Sequence, residues 1–259
     1  LPVLLPKLLQ SQVFSEVRKE EMLQQIYRML CLCLGTPPTE FTWAQYGKKD
    51  TLISKEVYTP QSWAEKYLRR DLVTDYVMMM NDPTRPYYQL YSVSLDRHLQ
   101  EGNNWCYVNV PVEDLAAMAI ASLKDSVAMY TGTDVGKFRD MDRGVLDVHN
   151  YDFEALFGIP FPMDKEHRVR AYASGSGHAM SLVAVDLDEN GQPVKWLLEN
   201  SWGDKSGWKG HLIMTDEWMR EYLFRLVMEK KYASEKVLEA LKTKPVELPM
   251  WDPMASFEE

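Results

Sequence analysis

Residues 179–198 are the part of this sequence with the least conformational freedom. Two apolar-rich runs, 179–187 and 193–198, flank Asp188-Glu189-Asn190-Gly191-Gln192. An Asn-Gly pair between such runs is a strong hairpin signal, because both residues tolerate the backbone of a tight turn. A hairpin folds its far ends onto each other. Gly177-His178-Ala179-Met180, which opens the first run, is therefore expected beside Glu199-Asn200-Ser201-Trp202-Gly203, which follows the second.

Around this hairpin the pattern predicts an α+β chain. In 15–34 the residues Val17, Met22, Leu23, Ile26, Met29, Leu30 and Cys33 recur mostly at three- and four-residue steps, and Gly35, Pro37 and Pro38 stop the helix. A second helix is expected at Thr59-Pro60, with Thr59 as N-cap and Trp63, Tyr67 and Leu68 on one face. The turn-rich Asn81-Asp82-Pro83-Thr84-Arg85-Pro86 marks a boundary, which divides the chain into a helical region, 1–86, and a β-rich region, 87–259. The second region is expected to hold strands at 88–95, 126–130, 179–187, 193–198, 210–214 and 224–228. Helices are expected at 112–123, after the Thr215 cap, and at 234–241. Short strands with few crossover helices favour α+β over a doubly wound sheet.

Composition removes several classes. With 259 residues, 46% of them hydrophobic and 26% charged, the chain can bury a core. A net charge of −9 argues against nucleic acid and anionic membranes as partners, since both need a positive footprint. No apolar run reaches the roughly 18 residues of a membrane span. Leu1-Pro2-Val3-Leu4-Leu5-Pro6 has no charged lead and does not read as a secretory signal. Three cysteines cannot build a disulfide framework, which fits a reducing, cytoplasmic setting. A start at Leu rather than Met suggests part of a longer or processed product.

Several motifs fail on inspection. Asp186 to Gly191 imitates an EF-hand loop, but its twelfth position is Leu197 instead of a bidentate Glu. Gly132 to Lys137 is one spacer short of a phosphate loop. Gly175-Ser176-Gly177 lacks the third glycine of a dinucleotide fingerprint. His98, His149, His167 and His211 have no ligand spacing, and Cys31 and Cys33 read as buried structural thiols. No metal and no cofactor is expected.

One constellation survives. An amide oxygen from Asn200 can accept from one nitrogen of His178 and fix its tautomer, leaving the other nitrogen for a nucleophile. Trp202 could cover that bond from water. From spacing alone, a His and an Asn at two ordinary strand ends is the favoured reading.

His178-Ala179-Met180 and Asn200-Ser201-Trp202-Gly203 resemble the His and Asn motifs of papain-like cysteine peptidases. Cys31-Leu32-Cys33-Leu34-Gly35, Asp134-Val135-Gly136-Lys137, Met214-Thr215-Asp216-Glu217-Trp218 and Trp251-Asp252-Pro253-Met254 extend the match to the bleomycin hydrolase and aminopeptidase C branch. The resemblance runs from residue 31 to 254. It implies a papain-like fold with a helical insertion, His178 as general base and acid, Asn200 as its orienting group and Trp202 as a shield. It also implies peptide substrates, a homo-hexameric assembly, and a C-terminal arm that limits cleavage to amino ends. In that arm the terminal carboxylate of Glu259 would pair with the substrate amine.

The family's nucleophile is a Cys followed by Trp, with a Gln six residues upstream. Cys106 has Gln100 at that distance, but Tyr107 follows it and no helix pattern starts there; the pair reads as coincidence. The Cys-bearing lobe is then expected before Leu1, which would leave this chain alone inactive. His211, where the family shows Tyr, is expected to be structural. The competing function is a non-catalytic assembly or binding module with a residual His–Asn pair, and the arm's alternative is a plain disordered terminus.

Overall fold

The computed structural model describes residues 16–68, 71, 74–97, 99 and 101–255. The chain divides into two units, 1–70 and 71–259. This division precedes the turn at 81–86, because residues 76–80, upstream of that turn, form a strand of the second unit's sheet.

The first unit contains α1 (Glu16–Leu34), β1 (Phe41–Tyr46), β2 (Leu52–Tyr58) and α2 (Pro60–Tyr67). Gly35 closes α1 with φ +89° and an N–H bond to the Cys31 carbonyl at 3.0 Å. Thr59 and Ser62 cap α2 reciprocally: the Ser62 N–H donates to Thr59 Oγ1 at 3.1 Å, and the Thr59 N–H to Ser62 Oγ at 3.0 Å. The expectation of a helical region at 1–86 needs correction, since β1 and β2 pair as an antiparallel hairpin. Trp43 meets Trp63 edge-on at 5.5 Å, Trp63 packs on Tyr67 at 5.2 Å, and Tyr67 meets Tyr58 at 5.9 Å. These rings, and not the apolar stripe of α1, hold the unit. Leu23, Met29, Leu30 and Leu34 of α1 are exposed. The cysteines differ from expectation in the same way: Cys31 is half-buried and Cys33 is exposed.

The second unit continues with β3 (Tyr76–Met80), β4 (Gln89–Val93), β5 (Cys106–Asn109), α3 (Val112–Lys124), β6 (Met129–Thr133), β7 (Arg139–Asp140), β8 (Val145–Leu146), α4 (Phe153–Phe157) and α5 (Lys165–Arg170). Then come β9 (His178–Leu187), β10 (Pro193–Glu199), β11 (His211–Thr215), α6 (Asp216–Tyr222), β12 (Leu223–Glu229), α7 (Glu235–Ala240) and β13 (Val246–Leu248). Among the described residues the strands form one 11-stranded sheet in the order β13-β4-β5-β3-β12-β6-β9-β10-β11-β8-β7. The class is α+β. No helix among the described residues is long and apolar enough to cross a membrane.

Strand alternation splits the core into two layers. Met79, Leu90 and Val108 join a large cluster with α3, α6, Leu182, Trp196 and Leu198. Their neighbours Met80, Tyr91 and Tyr107 join a smaller one with Phe224, Met254 and Ala255. The two buried indoles of the large cluster's strand–helix junction are satisfied: Trp196 Nε1 donates to Asp216 Oδ1 at 3.0 Å, and Trp218 Nε1 to the Lys137 carbonyl at 2.8 Å.

Lys165, at the start of α5, is a buried cation. Its ammonium donates to Asn81 Oδ1 at 2.6 Å, the Leu223 carbonyl at 2.7 Å and the Arg220 carbonyl at 3.0 Å, tying the 81–86 turn to the α6–β12 junction. Burial pushes it down to about 7, against the pull of Glu221. Because a lowered base binds its proton more weakly in the folded state, stability should rise with pH between about 7 and the unfolded value of 10.5. We expect wild-type stability, by urea unfolding at pH 7 to 9, to climb relative to Lys165→Met by up to about 1.4 kcal/mol per pH unit. Parallel pH profiles would refute this.

Candidate functional site

His178 is the first residue of β9 and pairs with Thr133, the last of β6. The Gly177 N–H donates to the Thr133 carbonyl at 3.1 Å, which fixes the approach to the strand. On the other side Ser181 pairs with Glu199 of β10. Continuing that register sets His178 opposite Trp202, with Asn200 on the diagonal. His178, Met180 and Leu182 share one face of β9, and Trp196 and Leu198 share the matching face of β10. The site is thus the place where the buried side of the hairpin runs out into solvent.

The turn makes this register firm. Asp188 Oδ1 accepts from the Asn190 N–H at 2.9 Å and the Gln192 N–H at 2.8 Å, and Gly191 takes φ +76°. These are the residues that imitate an EF-hand, and here their carboxylate is used on the backbone.

His178 Nε2 and Asn200 Oδ1 are 2.8 Å apart. The Ser201 N–H donates to the same Asn200 oxygen at 2.8 Å, which identifies that atom as the carbonyl end of the amide. Nε2 must therefore carry the proton, and Nδ1 is left as the acceptor. The Asn200 N–H donates to the Gly210 carbonyl at 2.9 Å, so the amide's own backbone is pinned by the next loop. Trp202 lies against the imidazole at 4.7 Å between ring centroids, tilted by 30°. It is 40% exposed, and the Arg139 guanidinium packs over its indole at 5.1 Å.

A cavity of about 440 Å³ reaches the residue before His178. Asp134, Lys137, Tyr172, Ser174, Gly177 and Pro253 are among its lining. Burial raises the Asp134 carboxyl above the ordinary carboxylate range, and the bond from Ser174 Oγ at 2.7 Å opposes that shift. Asp134 thereby ties the end of β6 to the loop that delivers His178.

The other sequence candidates fall elsewhere. Cys106 is exposed on β5, four strand spacings from β9 in the sheet order, roughly 19 Å at about 4.8 Å per strand. Its thiol donates to the Asn104 carbonyl at 3.5 Å. Gln100 lies outside the described residues, as do His98 and Ser256 to Glu259 of the arm. His211 donates from Nδ1 to the Lys209 carbonyl at 3.0 Å and packs edge-on with Trp208. His149 bonds Glu217 at 3.1 Å, and His167 bonds Asp164 at 2.7 Å. Sequence reasoning missed Arg139 on Trp202 and Ser174 on Asp134. Neither has a spacing signal, because the sheet joins residues that are far apart in the chain.

Residues 5–255 match the model of the peptidase C1-like family. The chain belongs to that family. It is 38% identical over 249 residues to aminopeptidase C of Streptococcus thermophilus, covering 95% of this chain and 56% of that protein. It is equally 38% identical over 249 residues to bleomycin hydrolase of Homo sapiens, covering 93% of this chain and 54% of that one. The crystal structure of PepW from Lactobacillus rhamnosis HN001 superposes with a TM-score of 0.85 at 33% identity, over 96% of this chain and 57% of that one. The fold of this peptidase C1-like chain is therefore papain-like. The chain spans about half the length of the curated relatives it matches.

The hydrogen bonding makes a direct prediction for the tautomer. Long-range ¹H–¹⁵N spectra should show His178 protonated at Nε2 and bare at Nδ1 at alkaline pH, and Asn200→Ala should mix the two tautomers. An Nδ1–H form in the wild-type chain would contradict the assigned geometry.

Proposed function

We propose that this chain is the His/Asn-bearing part of a cysteine aminopeptidase, with His178 as general base and acid and Asn200 as the group that orients it. The observation that carries the reading is the Nε2–Asn200 bond of 2.8 Å, which leaves the unprotonated Nδ1 as the free edge of the ring. In the proposed reaction a thiol gives its proton to Nδ1 while its sulfur attacks the carbonyl carbon of the first peptide bond. The imidazolium returns the proton to the departing amine. Water then cleaves the thioester, again with His178 taking the proton. Asn200 holds the ring throughout without adding a charge.

The thiol in this reading comes from a segment outside these 259 residues. Supporting it, Cys106 stands four strand positions from His178 in the sheet, while Cys31 and Cys33 are each followed by Leu rather than Trp. Substrates are peptides with free amino termini, as the names of the aminopeptidase relatives suggest. The C-terminal arm restricts cleavage to those ends, and Glu259 is the candidate for pairing with the amine. The reading extends to a homo-hexamer, for which the exposed apolar residues of α1 offer contact surface, and to a reducing cytoplasm, where three free cysteines are at home.

Kinetics on the full-length protein test the reading. His178→Ala should lower kcat/KM on an aminoacyl amide by at least the roughly 10²- to 10⁴-fold that general acid–base groups contribute. Asn200→Ala should cost less, because orientation is weakened while the proton carrier stays. The 259-residue chain alone should show no thiol-dependent turnover. Wild-type rates in His178→Ala, or turnover by the isolated chain, would overturn the assignment.

A further inference from the structure

The described end of the chain is held by a charge cluster that shares no bond with the His–Asn pair among the described residues. Beyond β13, which pairs in parallel with β4, the backbone turns at 249–252 and runs to Ala255. Asp252 is buried. Arg85 Nη2 donates to both of its carboxylate oxygens, at 3.1 and 2.9 Å. The same guanidinium pairs through Nε with Asp82 Oδ2 at 2.5 Å and packs over the Tyr91 ring at 5.4 Å. Its side chain is only 14% exposed. The 81–86 turn that presents it is itself fixed, since Asn109 Nδ2 donates to the carbonyls of Asp82, Arg85 and Pro86.

Asp252 passes this restraint on to the arm. Its Oδ1 accepts from the Met254 N–H at 2.9 Å, and its carbonyl accepts from the Ala255 N–H at 2.9 Å. Met254 and Ala255 are buried in the smaller core cluster. Pro253 and Ala255 form part of the cavity wall that also contains Gly177. A rigid guanidinium that pairs through Nη2 with Asp252 and through Nε with Asp82 fixes direction as well as distance.

We infer that Arg85 is a positioning residue for substrate selection: by clamping Asp252 it holds the arm on the wall of the cavity beside His178 and so sets the preference for free amino termini. The inference rests on the proposed arm-gated aminopeptidase, but the clamp is separable from it. Loss of the clamp would leave the His–Asn pair and the arm's sequence intact and let the arm leave the wall. A tethered segment that is no longer held spends a smaller fraction of the time on that wall.

The test compares four variants with wild type in the full-length protein: Arg85→Met, Arg85→Lys, Asp252→Asn and truncation after Pro253. Hydrogen exchange at the Met254 and Ala255 amides should speed up on the order of 10²-fold in Arg85→Met, as expected for breaking a buried ion pair. Core amides at Leu182 and Leu198 should not change. Cleavage of an acetylated peptide relative to its free counterpart should rise roughly tenfold as arm occupancy falls. Asp252→Asn keeps the acceptor for Met254 and the side-chain volume, so it should show the same change if Arg85→Met folds poorly. Arg85→Lys keeps the charge but cannot pair with Asp82 and Asp252 through separate nitrogens, so it should fall between. Unchanged exchange in both Arg85→Met and Asp252→Asn would overturn the clamp. A ratio shifted by truncation but by neither clamp variant would overturn its role in selection and spare the gating arm. A ratio unmoved by truncation would overturn the arm reading and this inference together.

Discussion

The ladder between β9 and β10 is the constraint on which the site depends, because side chains alternate faces along a strand. A slip of one residue would turn His178, Met180 and Leu182 to the other face together. The slip is resisted by the core: Leu182 and Leu198 are fully buried opposite each other, and Trp196 is fully buried beside them. Burying an apolar side chain of this size is worth about 1.5–3 kcal/mol, so moving three to solvent would exceed much of a domain's net stability. The position of a polar pair at the end of the hairpin is therefore set by apolar packing in its middle. The turn adds a second lock through Asp188, which spends its carboxylate on two backbone amides.

An amide and a carboxylate would hold the imidazole differently. Asn200 accepts from Nε2 and from the Ser201 N–H with one oxygen, so the amide cannot rotate without losing both bonds. It fixes the tautomer without adding a charge beside the ring. Trp202 packs on the ring and carries a guanidinium of its own, so one aromatic surface joins His178 to Arg139. That contact gives Arg139 a route to the orientation of the indole, though the residue has no bond to the pair.

Local chemistry was legible wherever a signal sits within a few residues. Thr59 and Thr215 cap their helices as their sequences announce, and the Asn190-Gly191 turn closes the hairpin. That turn predicts that the strand ends meet, while singling out His178 and Asn200 as a pair takes the resemblance of their flanking motifs as well. The hairpin at 41–58 was not legible, because its strands are mostly exposed without a clean alternation and pack through rings from α2. The inward role of the 81–86 turn is hidden from the sequence for a related reason. Pro83 and Pro86 mark a turn, but only the sheet shows that Asn81, Asp82 and Arg85 turn inward to bond Lys165, Asn109 and Asp252. Charged residues in a turn look solvated in a sequence; here their partners lie 27 to 167 positions away.

The loop from Tyr172 to Gly177 connects the two halves of this architecture. Its Tyr172 hydroxyl donates to the Trp251 carbonyl at 2.8 Å, and Gly175 lies against the Pro253 carbonyl, so one side leans on the arm. Its Ser174 bonds Asp134 and its Gly177 bonds Thr133, so the other side is stitched to β6. The crossing is tight: a Cβ on Gly132 would stand 2.3 Å from Ser176 Oγ and 3.0 Å from Arg225 Cβ. A strand residue without a side chain is what lets the loop pass at that height. The arm and the imidazole are thus fastened to the same six residues from opposite sides. The bonds to Asp134 and Thr133 fix the β6 side of this loop independently of its contacts with the arm at Trp251 and Pro253.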